Sequence, residues 1–404
     1  MKYQFKANSL PLAIVVSTVM LLMVLGVLLL WEIDFLHFSK QNFVRQQQAD
    51  IKSTLALYTN YPSIIEEYQD SVFVQLYDSI ESSQMLVERQ QWGLYELVSV
   101  SSANRKAHQT CIMGFDSAYS NDINFYYPEN KSTLTLTGKT DLEGRVAMPT
   151  KGIIYGQIKS VFFRGKKIEN SKITTSKELP NPDSNIKKYI DNLFSFQDTE
   201  DFVISDSSIH VDFYNNEIKY LSATNSETEF YSLNGKIVLA GDEITISSDS
   251  KLKDIIIVAN KININKNFEG SLQIFSRDTV IIGENVKMNY PSGIFCEKYI
   301  KIGDNAQING YVIINNSVDK IDTRKANYIQ SRLAKVRGLL YIRGAAQIQG
   351  IVSGCAYVAR AVFYSPQGYY NDMIYDVTIL ENRETAYPLW FKSSQKRKII
   401  KWTK

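Results

Sequence analysis

VIIGENVKM (residues 280–288) and IKIGDNAQI (residues 300–308) overlay position by position at a spacing of 20. In each, a triplet with apolar ends (Val-Ile-Ile or Ile-Lys-Ile) is followed by Gly, an acid and Asn, and then by apolar residues at every second place. A second local match sets AQING (306–310) against AQIQG (346–350). Apolar and polar residues alternating at period two mark a strand with one buried face, and the Gly and Asn between them mark turns. Repetition near twenty residues means stacked units, none of which can bury its apolar face alone.

Working outward, one series of triplets runs through Ile244 and Ile246, Ile262 and Ile264, Val280 and Ile282, Ile300 and Ile302, then Leu340 and Ile342. The steps are 18, 18, 20 and 40, the last being two rungs with one interrupted. A second series is interleaved at Ile237–Leu239, Ile255–Ile257, Leu272–Ile274, Ile294–Cys296 and Val312–Ile314. The pattern predicts a right-handed parallel β-helix-like domain over 235–362. Its inward Ile and Val would stack at about 4.8 Å per rung, with Asn285 and Asn305 in a ladder at one turn. The interruption at 315–338 contains YIQSRLAKV (328–336) and predicts a helical insertion. Short Ile- and Val-rich rungs of this kind resemble the bactofilins, which are polymer-forming parallel β-helix proteins, and less closely the hexapeptide-repeat acyltransferases.

At the other end, LPLAIVVSTVMLLMVLGVLLLW (10–31) carries no charge over 22 residues. As a helix it is about 33 Å long, enough for a hydrocarbon core of about 30 Å. Leu10, Ile14, Leu21, Leu25, Leu30 and Trp31 are the anchoring side chains, Trp31 at the interfacial level. Glu32, Ile33, Asp34 and Phe35 follow with no small-x-small cleavage site, so the segment is read as an uncleaved anchor. Lys2, Lys6 and the α-amine precede it, which favours an N-in orientation. An amphipathic extension over 32–61 follows, with Phe35, Phe38, Phe43, Ile51, Leu55 and Tyr58, ending before Pro62. A short basic leader (1–9), an apolar helix and such an extension resemble the N-terminal quarter of pilin-like and pseudopilin proteins. Were Ala7 the cleavage point, Leu12 would stand where that family places Glu.

Between the two, residues 62–200 read as a small β-rich module, with strands near 72–77, 133–137, 153–155 and 161–163. A connecting helix over 186–196 would be N-capped by Asp183 or Ser184. Residues 201–234 read as an N-terminal cap to the repeats, and 363–404 as an aromatic segment with a basic tail of Lys396, Arg397, Lys398, Lys401 and Lys404.

The sequence argues for binding and display rather than catalysis. Glu284 and Asp304 hold equivalent turn positions and are weak candidates for a shared metal. Arg277 and Glu297, also 20 apart, would form a surface ion pair. His108 near Cys111 lacks a third group, His210 stands alone, and no His lies within the repeats. Cys111, Cys296 and Cys355 are too far apart for a zinc pattern and read as small buried hydrophobes. A net charge of +3 over 404 residues lacks the basic stripe of a nucleic-acid binder. The expected protein is mainly β, non-enzymatic and without a cofactor. It would sit in a bacterial inner membrane with most of its chain extracytoplasmic, its partners the bilayer and other proteins of an envelope assembly or copies of itself. A membrane-tethered bactofilin-like cytoskeletal polymer is the alternative, and a β-helix carbohydrate-active enzyme the third.

Overall fold

The computed structural model describes residues 9–65, 69–77, 83–102, 107–118, 123–158, 160–195, 208–214, 217–223, 232–316, 321–366, 368–392 and 396–403. Residues 1–8 of the expected leader, Lys404, and 201–207, 215–216 and 224–231 of the expected cap lie outside these. The chain forms two compact units, residues 1–56 with 73–86 and 100–108, and residues 57–72 with 87–99 and 109–404. The protein is mainly β, with one long apolar helix at its start.

That helix, α1 (Ser9–Asn60), runs without a break for 52 residues. Pro11 is tolerated because the first turn of a helix has no intrahelical use for its missing N–H. Ser17 and Thr18 donate their hydroxyls back to the Ile14 carbonyl at 3.0 and 2.7 Å, so the apolar stretch carries no unsatisfied side chain there. Leu10, Ile14, Leu21, Leu25, Leu30 and Trp31 are 47–73% exposed, on a stretch long and apolar enough to cross a membrane. The expected amphipathic stripe divides. Phe35, Phe38 and Phe43 are exposed, whereas Gln47, Asp50, Ile51, Thr54 and Leu55 are buried. Asp50 is kept solvated by protein, accepting from Gln46 Nε2 at 2.8 Å. The helix ends at Asn60, ahead of Pro62, as the proline requires.

The larger unit is built from three parallel ladders. In the first, Ile244, Ile262, Val280, Ile300, Tyr328 and Ala346 pair in succession. In the second, Leu239, Ile257, Ile274, Ile294, Val312, Leu340 and Ala356 pair, and the ladder then continues through Phe125, Val146 and Ile173. In the third, Met288, Ile308, Val336, Val352, Ile379 and Leu142 do the same. Nearly all of these side chains point into one shared core and are essentially solvent-free, Ile173 at the end being only partly buried.

Residues 62–200 are not a module apart, because Ile123–Tyr126, Asp141–Leu142, Arg145–Met148 and Ile173–Thr175 supply the later tiers of the same stack. Within 201–234 the described residues include three strands, Ser208–Val211, Lys219–Ser222 and Ser232–Gly235, which pair parallel with the tiers that follow. The helix expected over 315–338 does not form. Of that span 317–320 lies outside the described residues, Tyr328–Gln330 is a strand, and another begins at Lys335. The 28-residue step from Ile300 to Tyr328 and from Ile308 to Val336 is one enlarged tier rather than two. Leu340 and Ile342 therefore belong to the second ladder, stacked on Val312 and Ile314, and Tyr328 takes the place assigned to them in the first.

The two ladders differ outside as well as inside. The first alternates cleanly, with Lys301 outward and Ile281 40% exposed. The second is apolar on both sides, as continuous runs such as Ile255–Val258 imply for a doubly covered strand. Its outward Val238, Ile256, Phe275, Phe295, Ile313 and Tyr341 form a second core. This core is closed by α2 (Ser184–Ser195) through Ile186, Ile190, Leu193 and Phe194, and by Trp92, Tyr95, Trp390 and Phe391. Asp183 caps α2 as expected, its Oδ1 accepting from the Asn185 N–H at 2.9 Å.

Candidate functional site

A cleft of about 470 Å³ opens on the outer wall of the larger unit, between Pro62–Ile65, the segment at Asp183–Ile186 and the final strand. Its floor is the Glu96 carboxylate, only 3% exposed. Glu96 sits on the strand Tyr95–Ser102, whose neighbours Leu94, Tyr95, Leu97 and Val98 are buried, so its charge is carried into an apolar wall. A carboxylate there needs a partner, and two are supplied. Arg397 Nε donates to Glu96 Oε1 at 2.6 Å, and the Tyr58 hydroxyl donates to the same oxygen at 3.2 Å. The guanidinium also lies over the Phe115 ring, 4.6 Å from its centroid. Burial, then the Glu96 charge, pushes the Tyr58 hydroxyl far above the ordinary phenol range, so Tyr58 stays a donor.

Arg397 was expected in a basic tail. It instead begins the strand Arg397–Thr403, which pairs antiparallel with the strand ending at Phe115. The other tail cations are placed with it. Lys401 Nζ reaches Asp254 Oδ2 at 2.5 Å, and Lys398 Nζ donates to the Arg383 carbonyl at 2.8 Å and lies 3.7 Å from Asp116. Lys396 is exposed at the head of the segment and Lys404 lies outside the described residues. Of the described tail cations, Arg397 and Lys401 thus meet buried carboxylates. Arginine 397 to alanine would leave Glu96 buried without its cation and is expected to cost about 3 kcal/mol. Adding Glu96→Gln should recover part of that loss, as read by denaturant unfolding of the detergent-solubilised chain.

Glu284 and Asp304 are both exposed turn residues on adjacent tiers. What the turn is built for is backbone geometry. Asn267, Asn285 and Asn305 take left-handed φ values of 65°, 58° and 57°, a region Asn tolerates. Asn285 Nδ2 donates to Asn267 Oδ1 at 3.2 Å, and the Asn285 N–H to the Asp304 carbonyl at 2.9 Å. Among the described residues no group of three or more His, Cys, Asp or Glu is placed to hold a metal ion.

Arg277 turns over the Phe194 ring at 4.9 Å, and the tier-to-tier ion pair is formed next door by Asp278 and Lys298 at 2.9 Å. His210 bonds Asp212 at 2.9 Å in the open. All three cysteines are buried and free. Burial raises the thiols of Cys296 and Cys355 to about 11 and that of Cys111 higher still, the opposite of nucleophilic activation.

No family model, curated protein or solved structure matches the chain.

What remains distinctive is the pairing of a bare, membrane-length helix with a wall of stacked strands. Neither Glu96 nor Tyr58 was singled out from the sequence as a functional group. The available signal was the acid itself, set inside LYELVSV (94–100) where every neighbour at period two and one is apolar or small.

Proposed function

We propose that this chain is a non-enzymatic, single-pass envelope protein that displays a right-handed parallel β-helix as a scaffold, pilin-like or part of a surface assembly. The observation that carries the proposal is the uncharged stretch 10–31 of α1, which is exposed along its whole length and long enough to span a bilayer. The three ladders support the β-helix, since each returns to the same column after one circuit of the chain. Right-handedness follows from the rule that governs nearly all parallel crossovers. A stack whose interior is filled by Ile, Val and Leu offers its outer wall, not a cavity, to other molecules. The basic residues Lys2 and Lys6 ahead of the span support an N-in orientation, with the β-helix on the far side of a bacterial inner membrane.

A cytoplasmic, membrane-tethered polymer of the bactofilin kind is the second reading. It is favoured by the strand Ile173–Thr175, whose ladder partner among the described residues is Arg145–Met148 alone, leaving a parallel edge that another chain could extend. A tag after Lys404 separates the two. Digestion by a protease that cannot cross the inner membrane is the expected result once the outer membrane is opened. Protection until the inner membrane is broken would overturn the envelope reading in favour of the tethered polymer.

A further inference from the structure

We infer that the hairpin and loop closing the last tiers of the stack, residues 151–158 and 160–172, form a docking surface for an anionic lipid bilayer. This goes beyond the anchoring role of α1 and does not require it. The strand Gln157–Ile158 pairs antiparallel with Val161–Phe162, and the loop that follows is held firmly. The Phe163 N–H donates to the Gly156 carbonyl at 3.0 Å, the Arg164 N–H to the Gly138 carbonyl at 2.8 Å, and the Ile168 N–H to the Tyr155 hydroxyl at 3.0 Å. Tyr155 and Phe163 face the core together, ring centroids 4.6 Å apart. Because side chains alternate along a strand, their neighbours Ile154 and Phe162 must face away from it. They are 53% and 61% exposed, in a region where burial was available one residue away.

Around these two apolar side chains the charge is one-sided. The described residues 151–158 and 160–172 hold five cations and a single acid, Glu169. Of the described cations, Lys151, Arg164, Lys166, Lys167 and Lys172 are all exposed; Lys172 pairs with Glu169 at 3.6 Å, and Lys167 Nζ lies over the Tyr155 ring, 5.7 Å from its centroid. The neighbouring Asp141 carboxylate is occupied by the Lys166 backbone N–H at 2.6 Å. A soluble polyanion would be served by the cations alone. Apolar residues held outward among exposed cations suit a surface with anionic headgroups above an apolar layer.

The full chain, held in nanodiscs of phosphatidylcholine, would be mixed with vesicles of phosphatidylcholine alone or with about three-tenths phosphatidylglycerol. Flotation is expected to capture it on the anionic vesicles only. Lys166→Gln with Lys167→Gln should weaken capture about thirty-fold, at roughly five-fold per charge. Phe162→Ala should weaken it roughly ten-fold through lost apolar insertion, and circular dichroism melts should be unchanged for these exposed sites. Absence of capture, or capture unaffected by the charge variants, would overturn the inference. So would heparin binding as tight as vesicle binding and indifferent to Phe162→Ala, which would point to a soluble polyanion.

Discussion

Gly338→Ala is expected to destabilise the stack by more than about 4 kcal/mol, at the limit of what one methyl group can do. Gly310, Gly338 and Gly354 pair in register at one corner of three successive tiers. Their φ values are +142°, +123° and +137°, a backbone region that residues with a Cβ rarely adopt. A Cβ at Gly338 would stand 1.9 Å from the Gly310 carbonyl oxygen, and one at Gly354 2.2 Å from that of Gly338. The obstacles are backbone atoms of the tier below, which cannot swing aside without breaking the ladder. Gly152 is the internal control. Its φ is +74°, but nothing lies within 4 Å of an added Cβ. Gly152→Ala should therefore show the conformational cost alone, about 1 kcal/mol. Thermal unfolding followed by circular dichroism separates the two. Equal melting of the two variants would mean that the glycine corner is not closely packed.

Leu21→Arg combined with Leu25→Arg is expected to release the chain from the membrane. The two positions are one helical turn apart in the middle of the uncharged stretch, 60% and 47% exposed. Each arginine near the centre of a spanning helix costs about 2.5–3.5 kcal/mol on insertion scales, so the pair opposes insertion by about 5–7 kcal/mol. After lysis, the variant should move from the pelleted membranes to the supernatant or be degraded. Phe38→Arg, beyond the interfacial Trp31, should leave the chain in the pellet. Retention of the double variant in alkali-washed membranes would show that α1 is not the anchor.

The bare stretch of α1 was legible because lipid length and lack of charge are properties of contiguous residues. So was its end, since Pro62 cannot follow within a helix. The tiers were legible for a related reason. Ile244, Ile262, Val280 and Ile300 recur at nearly fixed steps, and inward positions tolerate only apolar side chains. The helix expected over 315–338 failed because Tyr328 and Gln330, two residues apart, are both fully buried, the period of a strand and not of a helix. Gln330 is buried yet satisfied, accepting from the Tyr328 hydroxyl at 2.8 Å, a pairing no hydropathy pattern reveals. The glycine corner was visible as scattered glycines, but not as a column.

By itself, then, the sequence determined a membrane-length helix, its end at Pro62, the period of the repeats and which side of the first ladder faces inward. Each of these follows from local geometry, 1.5 Å per residue in a helix and alternation in a strand. Tertiary structure alone decided that Phe125 stacks on Ala356, that Arg397 of the last strand meets Glu96, and that α2 and Trp390 cover the outer face of the second ladder. Parallel ladders join residues far apart in the chain, and their partners are chosen by which edge is open and which charge is buried, neither of which leaves a mark on the residues nearby.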